Sequence, residues 1–157
     1  MNMNMKSKIL VFTATYNEAD NIPSLIKSIF SYLPNEKLLI VDDNSPDGTG
    51  QILDQLQKGY PNLIVQHRQG KLGLGSAHKM AMRYALENNF DFLITMDADF
   101  SHDPKCLPKM VEMLATYDFV IGSRFMPGGH CDYGPGRMVI SRGANVLARL
   151  LLGIKLR

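Results

Sequence analysis

A regular alternation of short apolar runs with amphipathic segments is the feature that most constrains the fold. Five apolar runs are predicted to be buried strands: 8–13, 38–41, 63–65, 92–96 and 119–121. Between and after them, apolar residues at spacings of three and four predict helices at 21–33, around 52–56, at 77–84, at 107–114 and at about 138–155. Helices between consecutive strands predict an α/β fold, with a mostly parallel sheet covered by helices on both faces.

Length and composition narrow the class of protein. The chain has 157 residues, which fits one domain, and its 45% hydrophobic and 20% charged residues exclude a disordered chain, a collagen-like repeat or a coiled coil. Runs such as Leu150-Leu151-Leu152 are too short to span a bilayer, and Ile9-Leu10-Val11-Phe12 is too short for a signal-peptide core. We therefore expect a cytoplasmic chain, with Cys106 and Cys131 as free thiols.

The net charge of +2 hides an uneven distribution. Residues 1–123 carry a net charge of −3, whereas residues 124–157 carry +5. An acidic body suits a cation, and a basic tail suits a phosphate, an anionic membrane or a nucleic acid. Because the acidic body repels a nucleic-acid backbone, we do not expect a nucleic acid as partner.

Acidic residues follow three of the predicted strands. They are Glu18 after the first strand, Asp42 and Asp43 after the second, and Asp97 and Asp99 after the fourth. Parallel strands end at one edge of the sheet, where ligands bind, and neighbouring carboxylates there repel one another. A divalent cation is the simplest compensation, and two carboxylates two residues apart can reach one hard cation. Turn and capping chemistry is the alternative for these residues.

A Mg²⁺ or Mn²⁺ ion held by one or two carboxylates usually shares its other positions with substrate phosphates, which points to a nucleoside diphosphate. Tyr16 could then stack on a base, with simple packing as the alternative, and Asp43 could accept a hydrogen bond from a ribose or a base edge. For Asp42, orienting its own loop is the alternative. The turn at 70–76 only weakly resembles a phosphate loop, although Lys71 could approach the nucleotide. His102 is open as a ligand, a base or a loop residue.

The basic tail holds residues suited to a second phosphate. Arg124 follows the predicted fifth strand, and Arg137 and Ser141 lie four residues apart on one helix face. Arginine forks and a hydroxyl near a helix N-terminus suit a phosphate group, with a solvated helix end as the alternative. The helix at about 138–155 can either pack in the core or lie in a membrane interface.

Several segments together resemble a known family. They are Thr15-Tyr16-Asn17-Glu18, Asp42-Asp43-Asn44-Ser45-Pro46-Asp47-Gly48-Thr49, Gly73-Leu74-Gly75-Ser76-Ala77, Asp97-Ala98-Asp99-x-Ser101-His102, Gly122-Ser123-Arg124 and Arg137-x-x-x-Ser141-Arg142-x-x-Asn145. In this order they resemble the family 2 inverting glycosyltransferases, in the branch that transfers mannose to polyprenol or dolichol phosphate. The resemblance covers essentially the whole chain.

The resemblance implies a glycosyltransferase fold of the A type, Rossmann-like, with residues 1–157 as a single catalytic domain. It implies GDP-mannose as donor, Mg²⁺ or Mn²⁺ as cofactor, and a polyprenyl phosphate acceptor met at the cytoplasmic face of a membrane. The implied donor-binding residues are Ala14, Tyr16, Glu18, Val41, Asp43, Asp97, Ala98 and Asp99. The implied metal ligands are Asp97, Asp99 and Ser101, the acceptor-phosphate residues are Arg124, Arg137 and Ser141, and the catalytic residues are Asp97, Asp99 and Arg124.

This chain departs from the family pattern in three ways. Ala14 stands where the family usually has proline, and Ser101 stands where some relatives have glutamine. Family members typically continue with a further acidic motif, a strand and a basic residue, so the chain resembles a catalytic domain without its usual C-terminal part. We therefore expect donor binding to survive better than transfer.

Two other functions compete with this expectation. One is a family 2 transferase with another donor, such as UDP-glucose or UDP-N-acetylglucosamine. The other is a non-catalytic signalling domain, since an acidic pair after a strand is also found in phospho-accepting receiver domains. In those domains the pair follows the first strand, whereas Asp42 and Asp43 follow the second.

Overall fold

The computed structural model describes residues 7–123 and the helical residues 135–152. The strands are β1 (Ile9–Thr15), β2 (Lys37–Asp42), β3 (Leu63–His67) and β4 (Phe92–Thr95). The helices are α1 (Ile22–Tyr32), α2 (Thr49–Gln57), α3 (Leu74–Glu87), α4 (Leu107–Leu114), which a 3₁₀ turn at Pro104–Cys106 precedes, and α5 (Pro135–Leu152).

The four strands form one parallel sheet in the order β3-β2-β1-β4. The register pairs Thr15 with Asp42 at the carboxyl ends of β1 and β2, and it pairs Phe12 with Thr95 between β1 and β4. The loops that leave β2, β1 and β4 therefore start side by side. The predicted α/β fold is confirmed, and the acidic strand ends do share one edge of the sheet.

Each face of the sheet is covered by helices because alternate strand residues point to opposite sides. On one face, Val11 and Ile40 pack with the apolar stripe of α1, which includes Leu25 and Ile29. On the other face, Phe12 and other strand residues pack with the small side chains of α3, namely Ala77, Ala81 and Ala85. The core thus holds β1 and β2 from both faces, and the loops of the site begin at the carboxyl ends of these two strands.

The predicted fifth strand is wrong. Residues 119–121 form no strand, and the side chains of Phe119 and Ile121 are 78% and 68% exposed. A strand needs a neighbour for its backbone N–H and C=O groups, and within the described residues the sheet has four strands, with β4 paired to β1 alone. The predicted turn at 70–76 is also shorter than expected, because α3 begins at Leu74.

The chain divides into two compact units, 1–115 and 116–157. The first unit holds the sheet and the four helices that follow its strands. The second holds α5, in which six of the described apolar side chains are exposed: Val139, Ile140, Val146, Leu147, Leu150 and Leu151. Among the described residues, no helix combines the length and the apolar character needed to cross a bilayer.

Candidate active site

The site is built from the loops that follow β1, β2 and β4. Ala14 and Val41 face each other in register one residue before the ends of the paired strands, and Val41 is fully buried. Tyr16 and Glu18 are half-buried in the loop after β1. These predicted donor-site residues therefore lie at the same edge as the acidic strand ends.

The loops after β1 and β2 are tied together by a repeating pattern. Three consecutive backbone N–H groups of the first loop donate to three alternate side chains of the second, each over 3.0 Å. The pairs are Asn17 with Ser45 Oγ, Glu18 with Thr49 Oγ1, and Ala19 with Asp47 Oδ2. This pattern gives a structural reason for the Ser-x-Asp-x-Thr spacing at Ser45, Asp47 and Thr49.

Asp47 and Thr49 stiffen the second loop from within. Asp47 Oδ1 accepts hydrogen bonds from the Thr49 hydroxyl (2.6 Å) and from the Thr49 backbone N–H (3.0 Å). The hydroxyl bond is the main reason why the pKa of Asp47 lies below its usual value. Asp47 is therefore ionised at neutral pH and stays bound to both loops.

Asp42 serves the loop and is closed to a ligand. Its side chain is about 2% exposed and accepts from Thr15 Oγ1 (2.9 Å), Ser45 Oγ (2.6 Å) and the Ser45 N–H (3.1 Å). On its other side, a Cβ added at Gly50 would stand 3.4 Å from Asp42 Oδ2 and from the ring of His67. These contacts favour the interpretation that Asp42 orients its own loop.

Asp43 is held by a residue that sequence analysis missed. Its Oδ1 accepts from Nε and Nη2 of Arg68, which directly follows β3, and its Oδ2 accepts from the backbone N–H groups of Leu72 (3.1 Å) and Gly73 (3.2 Å). Both partners of the ion pair are buried, with 6% and 7% of their side chains exposed. The available signal was positional, because a basic residue after β3 lies beside the end of β2.

Lys71 and Tyr16 are in direct contact. The Nζ atom of Lys71 lies 3.9 Å from the centroid of the Tyr16 ring, within cation–π range. The contact brings the turn before α3 to the ring that was predicted to stack on a base. Nearby in the chain, Glu18 accepts a 2.9 Å hydrogen bond from Asn21 Nδ2 through Oε2.

Asp97 and Asp99 are both exposed, and the buried Ala98 lies between them. The backbone N–H of Ser101 donates to Asp99 Oδ1 (2.9 Å), and the Ser101 hydroxyl lies 3.4 Å from Asp97 Oδ2. The Ser101 hydroxyl and N–H lower the pKa of Asp99 below its usual value, since both stabilise the carboxylate. Asp99 is thus an open, ionised oxygen donor.

His102 folds back on the start of this loop. Its Nδ1 accepts a 3.1 Å hydrogen bond from the Asp97 N–H, and its Nε2 lies 3.8 Å from Asp97 Oδ2. Among the interpretations left open for His102, these contacts favour a loop residue that orients Asp97. Phe100, with φ of +60°, makes the turn that allows this return.

The acidic residues at the edge do not form one cluster, which corrects the expectation that a single cation balances all five. Asp43 is neutralised by Arg68, Asp42 is enclosed by donors, and Glu18 bonds to Asn21. No group of three His, Cys, Asp or Glu side chains converges within the described part of the chain. Asp97 and Asp99 alone still fit a Mg²⁺ or Mn²⁺ ion, because such ions need only one or two carboxylates when phosphates and water supply the rest.

The predicted acceptor residues belong to the second unit. Arg124 lies outside the described residues. Arg137 and Ser141 lie four residues apart in α5 and therefore share a helix face, while their side chains lie outside the described part.

Comparison with known proteins identifies the family. Residues 10–155 match the family model described as glycosyl transferase family 2. The chain belongs to this family. The match runs from β1 to the segment that follows α5, so it includes every loop of the candidate site.

Two bacterial proteins are similar to the chain over most of its length. It is 40% identical over 150 residues to an undecaprenyl-phosphate mannosyltransferase of Micrococcus luteus, covering 95% of this chain and 62% of that protein. It is 39% identical over 150 residues to a polyprenol monophosphomannose synthase of Mycolicibacterium smegmatis, covering 94% of this chain and 57% of that protein. The chain thus spans about three fifths of these relatives.

Solved structures share the fold. The mannosyltransferase PcManGT of Pyrobaculum calidifontis, solved with GDP-Man and Mn²⁺, is 24% identical with a TM-score of 0.61, over 71% of this chain and 33% of that chain. Glucosyl-3-phosphoglycerate synthase of Mycobacterium tuberculosis, solved with Mn²⁺ and UDP, is 26% identical with a TM-score of 0.52, over 70% and 40%. These neighbours confirm the glycosyltransferase A-type fold.

Proposed function

We propose that this chain transfers mannose from GDP-mannose to a polyprenyl phosphate, with inversion at the sugar carbon and with Mg²⁺ or Mn²⁺ as cofactor. The observation that carries the proposal is the exposed pair Asp97 and Asp99 at the edge that also holds the half-buried Tyr16. This edge combines an anionic metal end with an aromatic end, as a nucleoside diphosphate requires. Similarity to two polyprenyl-phosphate mannosyltransferases supports the choice of sugar and acceptor.

For the donor, we assign the nucleoside to Ala14, Tyr16, Glu18, Val41 and Asp43, and the diphosphate to Asp97, Ala98 and Asp99. Tyr16 offers a ring face to the base. Asp43 acts mainly by shaping the floor of the site, because its oxygens already accept from Arg68 and from two backbone N–H groups. Each assignment can be tested by mutating the residue. The backbone of the loops after β1 and β2 is held by hydrogen bonds to Ser45, Asp47 and Thr49, so these substitutions should leave the loops in place.

For the metal, we assign Asp97 and Asp99 as ligands, with the Ser101 hydroxyl as a further candidate. The exposure of both carboxylates supports this assignment, because a ligand must be accessible to the ion as well as ionised. When bound, the ion would stabilise the negative charge on the departing diphosphate. His102 and Ser101 then serve to orient the two carboxylates, as their contacts with Asp97 and Asp99 suggest.

For the acceptor, we assign the lipid phosphate to Arg124, Arg137 and Ser141. A phosphate monoester is already an anion at neutral pH, so the nucleophile needs no general base. Arginine side chains would offset the repulsion between the two phosphate groups and position the attacking oxygen. In-line attack at the sugar carbon then gives the inverted, β-linked product.

We further propose that residues 1–157 act as one catalytic domain that meets its lipid at the cytoplasmic face of a membrane. The family match across 10–155 supports one functional domain, although the chain divides into two compact units. The exposed apolar residues of α5, together with the basic Arg149 in its last turn, support contact with a membrane surface.

Calorimetric titration with nucleotide sugars tests the donor half of the proposal. We expect GDP-mannose to bind in the presence of Mn²⁺ and binding to be lost in EDTA. UDP-glucose is the comparator, because the similar glucosyl-3-phosphoglycerate synthase was solved with UDP. Tighter binding of UDP-glucose would mean that the proposed donor is wrong, while the chain would still be a glycosyltransferase. Rapid phosphorylation by acetyl phosphate without nucleotide binding would favour a receiver-like domain.

A transfer assay tests the acceptor half. Radiolabelled GDP-mannose is incubated with short-chain polyprenyl phosphate in detergent, and the lipid phase is counted. We expect label in the lipid phase with the phosphorylated polyprenol and none with the free alcohol, because the phosphate is the nucleophile. Equal labelling of both lipids would contradict the proposed chemistry.

A further inference from the structure

We infer that Arg68 is a positioning residue for the nucleoside end of the donor site, an inference that rests on the proposed function. Arg68 stands directly after β3, on the far side of β2 from β1. Its side chain is nevertheless 94% buried, because it reaches across to the end of β2. A charge buried to this degree requires partners for all of its donors.

The partners of Arg68 belong to the two segments that shape the site. Nε and Nη2 donate to Asp43 Oδ1, Nη1 donates to Ser76 Oγ, and Nη2 also donates to the carbonyl of Gly73 over 3.2 Å. One guanidinium therefore joins the end of β2 to the first turn of α3. The planar fork suits this arrangement, because it presents donors from three separate nitrogen atoms in a fixed plane, whereas the three donors of a lysine share one nitrogen at the end of a flexible chain.

The turn at 70–73 is closed by the same contacts. Asp43 Oδ2 accepts from the N–H groups of Leu72 and Gly73, while Gly73 adopts a φ of +85°. Arg68 therefore holds Asp43 from one side, and the turn holds it from the other. Without the guanidinium, the Asp43 carboxylate would be buried beside two N–H donors with no compensating charge.

This turn carries Lys71, whose Nζ lies over the Tyr16 ring. Arg68 thus fixes two features on which nucleoside binding depends, the floor formed by Asp43 and the group that faces Tyr16. It has no contact among the described residues with Asp97 or Asp99, which follow β4 on the other side of β1. Loss of Arg68 should therefore weaken binding of the nucleoside and spare binding of the diphosphate.

The test compares two ligands on the same variants, Mn²⁺ with GDP and Mn²⁺ with inorganic pyrophosphate. We expect Arg68→Gln to raise the dissociation constant of GDP by roughly ten- to a hundredfold, by analogy with the loss seen when a group that holds a metal ligand is removed. The dissociation constant of pyrophosphate should change by less than about twofold. Arg68→Lys should recover only part of the loss, because the charge returns without the fork.

Arg83→Gln is the matched control, since Arg83 is exposed on α3 and should leave both dissociation constants unchanged. An equal loss for GDP and pyrophosphate, or an unchanged GDP affinity in a folded Arg68→Gln protein, would overturn the inference. If the Arg68 variants do not fold, Ser76→Ala removes one anchor of the guanidinium at an exposed position and should give a smaller loss specific to GDP. Failure of the unsubstituted protein to bind GDP would instead overturn the proposed function.

Discussion

Replacing Asp42 by asparagine tests whether the loop after β2 is organised by a buried carboxylate. The substitution preserves shape and removes the charge. In the native loop the carboxylate accepts three hydrogen bonds, two from the hydroxyls of Thr15 and Ser45 and one from the Ser45 N–H. The Ser45 N–H cannot reorient, so the asparagine must turn its oxygen towards this donor. Its NH₂ group must then face the two hydroxyls, which have to turn and accept.

The expected cost follows from this exchange. A hydrogen bond to a charged acceptor contributes about 1.5–3 kcal/mol, and a neutral one contributes about 0.5–1.5 kcal/mol. Converting two hydroxyl bonds from the first kind to the second therefore lowers the free energy of unfolding by about 2 kcal/mol. For a chain of this size, that loss lowers the melting temperature by about 4–8 °C. Asp42→Ala should cost more, at least about 3 kcal/mol, because one buried and two part-buried donors lose their acceptor.

Urea unfolding followed by circular dichroism measures these changes, with an unchanged slope as the sign that only stability has altered. Asp54→Asn is the matched control, since its side chain is 60% exposed and its polar partner is His67 at 2.9 Å. We expect this exposed pair to contribute less than about 0.5 kcal/mol. An Asp42→Asn protein as stable as the Asp54→Asn protein would refute the assignment of Asp42 to loop structure.

Three further predictions concern the metal, the acceptor and pH. Asp99→Asn should abolish Mn²⁺-dependent binding of GDP-mannose while circular dichroism stays unchanged, and Asp103→Asn should bind normally; retained binding in the first variant would mean that the metal lies elsewhere. Arg137→Ala should leave the dissociation constant of GDP-mannose unchanged and reduce mannose transfer, whereas equal loss of both would move Arg137 to the donor side. Thr49→Val should raise the pKa of Asp47 towards 3.8, because the Thr49 hydroxyl is the main cause of its lowering, and NMR titration of Asp47 measures this change. Since that pKa is lowered in the folded protein, the stabilisation from Asp47 is present above pH 3.8 and is lost as pH falls through the lowered pKa; a Thr49→Val protein with an unchanged Asp47 titration would contradict this assignment.

The fold was predictable because its signals are local. The stripe at Ile22, Leu25 and Ile29 marks α1, and the apolar runs mark β1 to β4 within a few residues. The sequence of 119–121 is just as apolar, yet it forms no strand. Strand formation depends on a hydrogen-bonding neighbour, and a run of three apolar residues carries no information about whether that neighbour is present.

The site was predictable in its edge and its exposed acids, but not in its internal contacts. The order of the acidic residues along the chain placed Asp97 and Asp99 correctly after β4. The two-residue spacing singled them out as candidate metal ligands, but it could not show how Asp42 and Asp43 are satisfied, because their partners come from other segments. Arg68 is 25 residues from Asp43 in sequence, and no spacing rule links two such positions.

A crystal structure of the chain grown with GDP and Mn²⁺ would test the central claim most directly. We predict an anomalous difference peak for manganese in contact with the carboxylates of Asp97 and Asp99, with the guanine against the Tyr16 ring. The loops tied by Ser45, Asp47 and Thr49 should keep their present contacts, because they are already closed by hydrogen bonds. Manganese bound away from Asp97 and Asp99, or a nucleotide bound away from the carboxyl edge of β1, β2 and β4, would contradict the account.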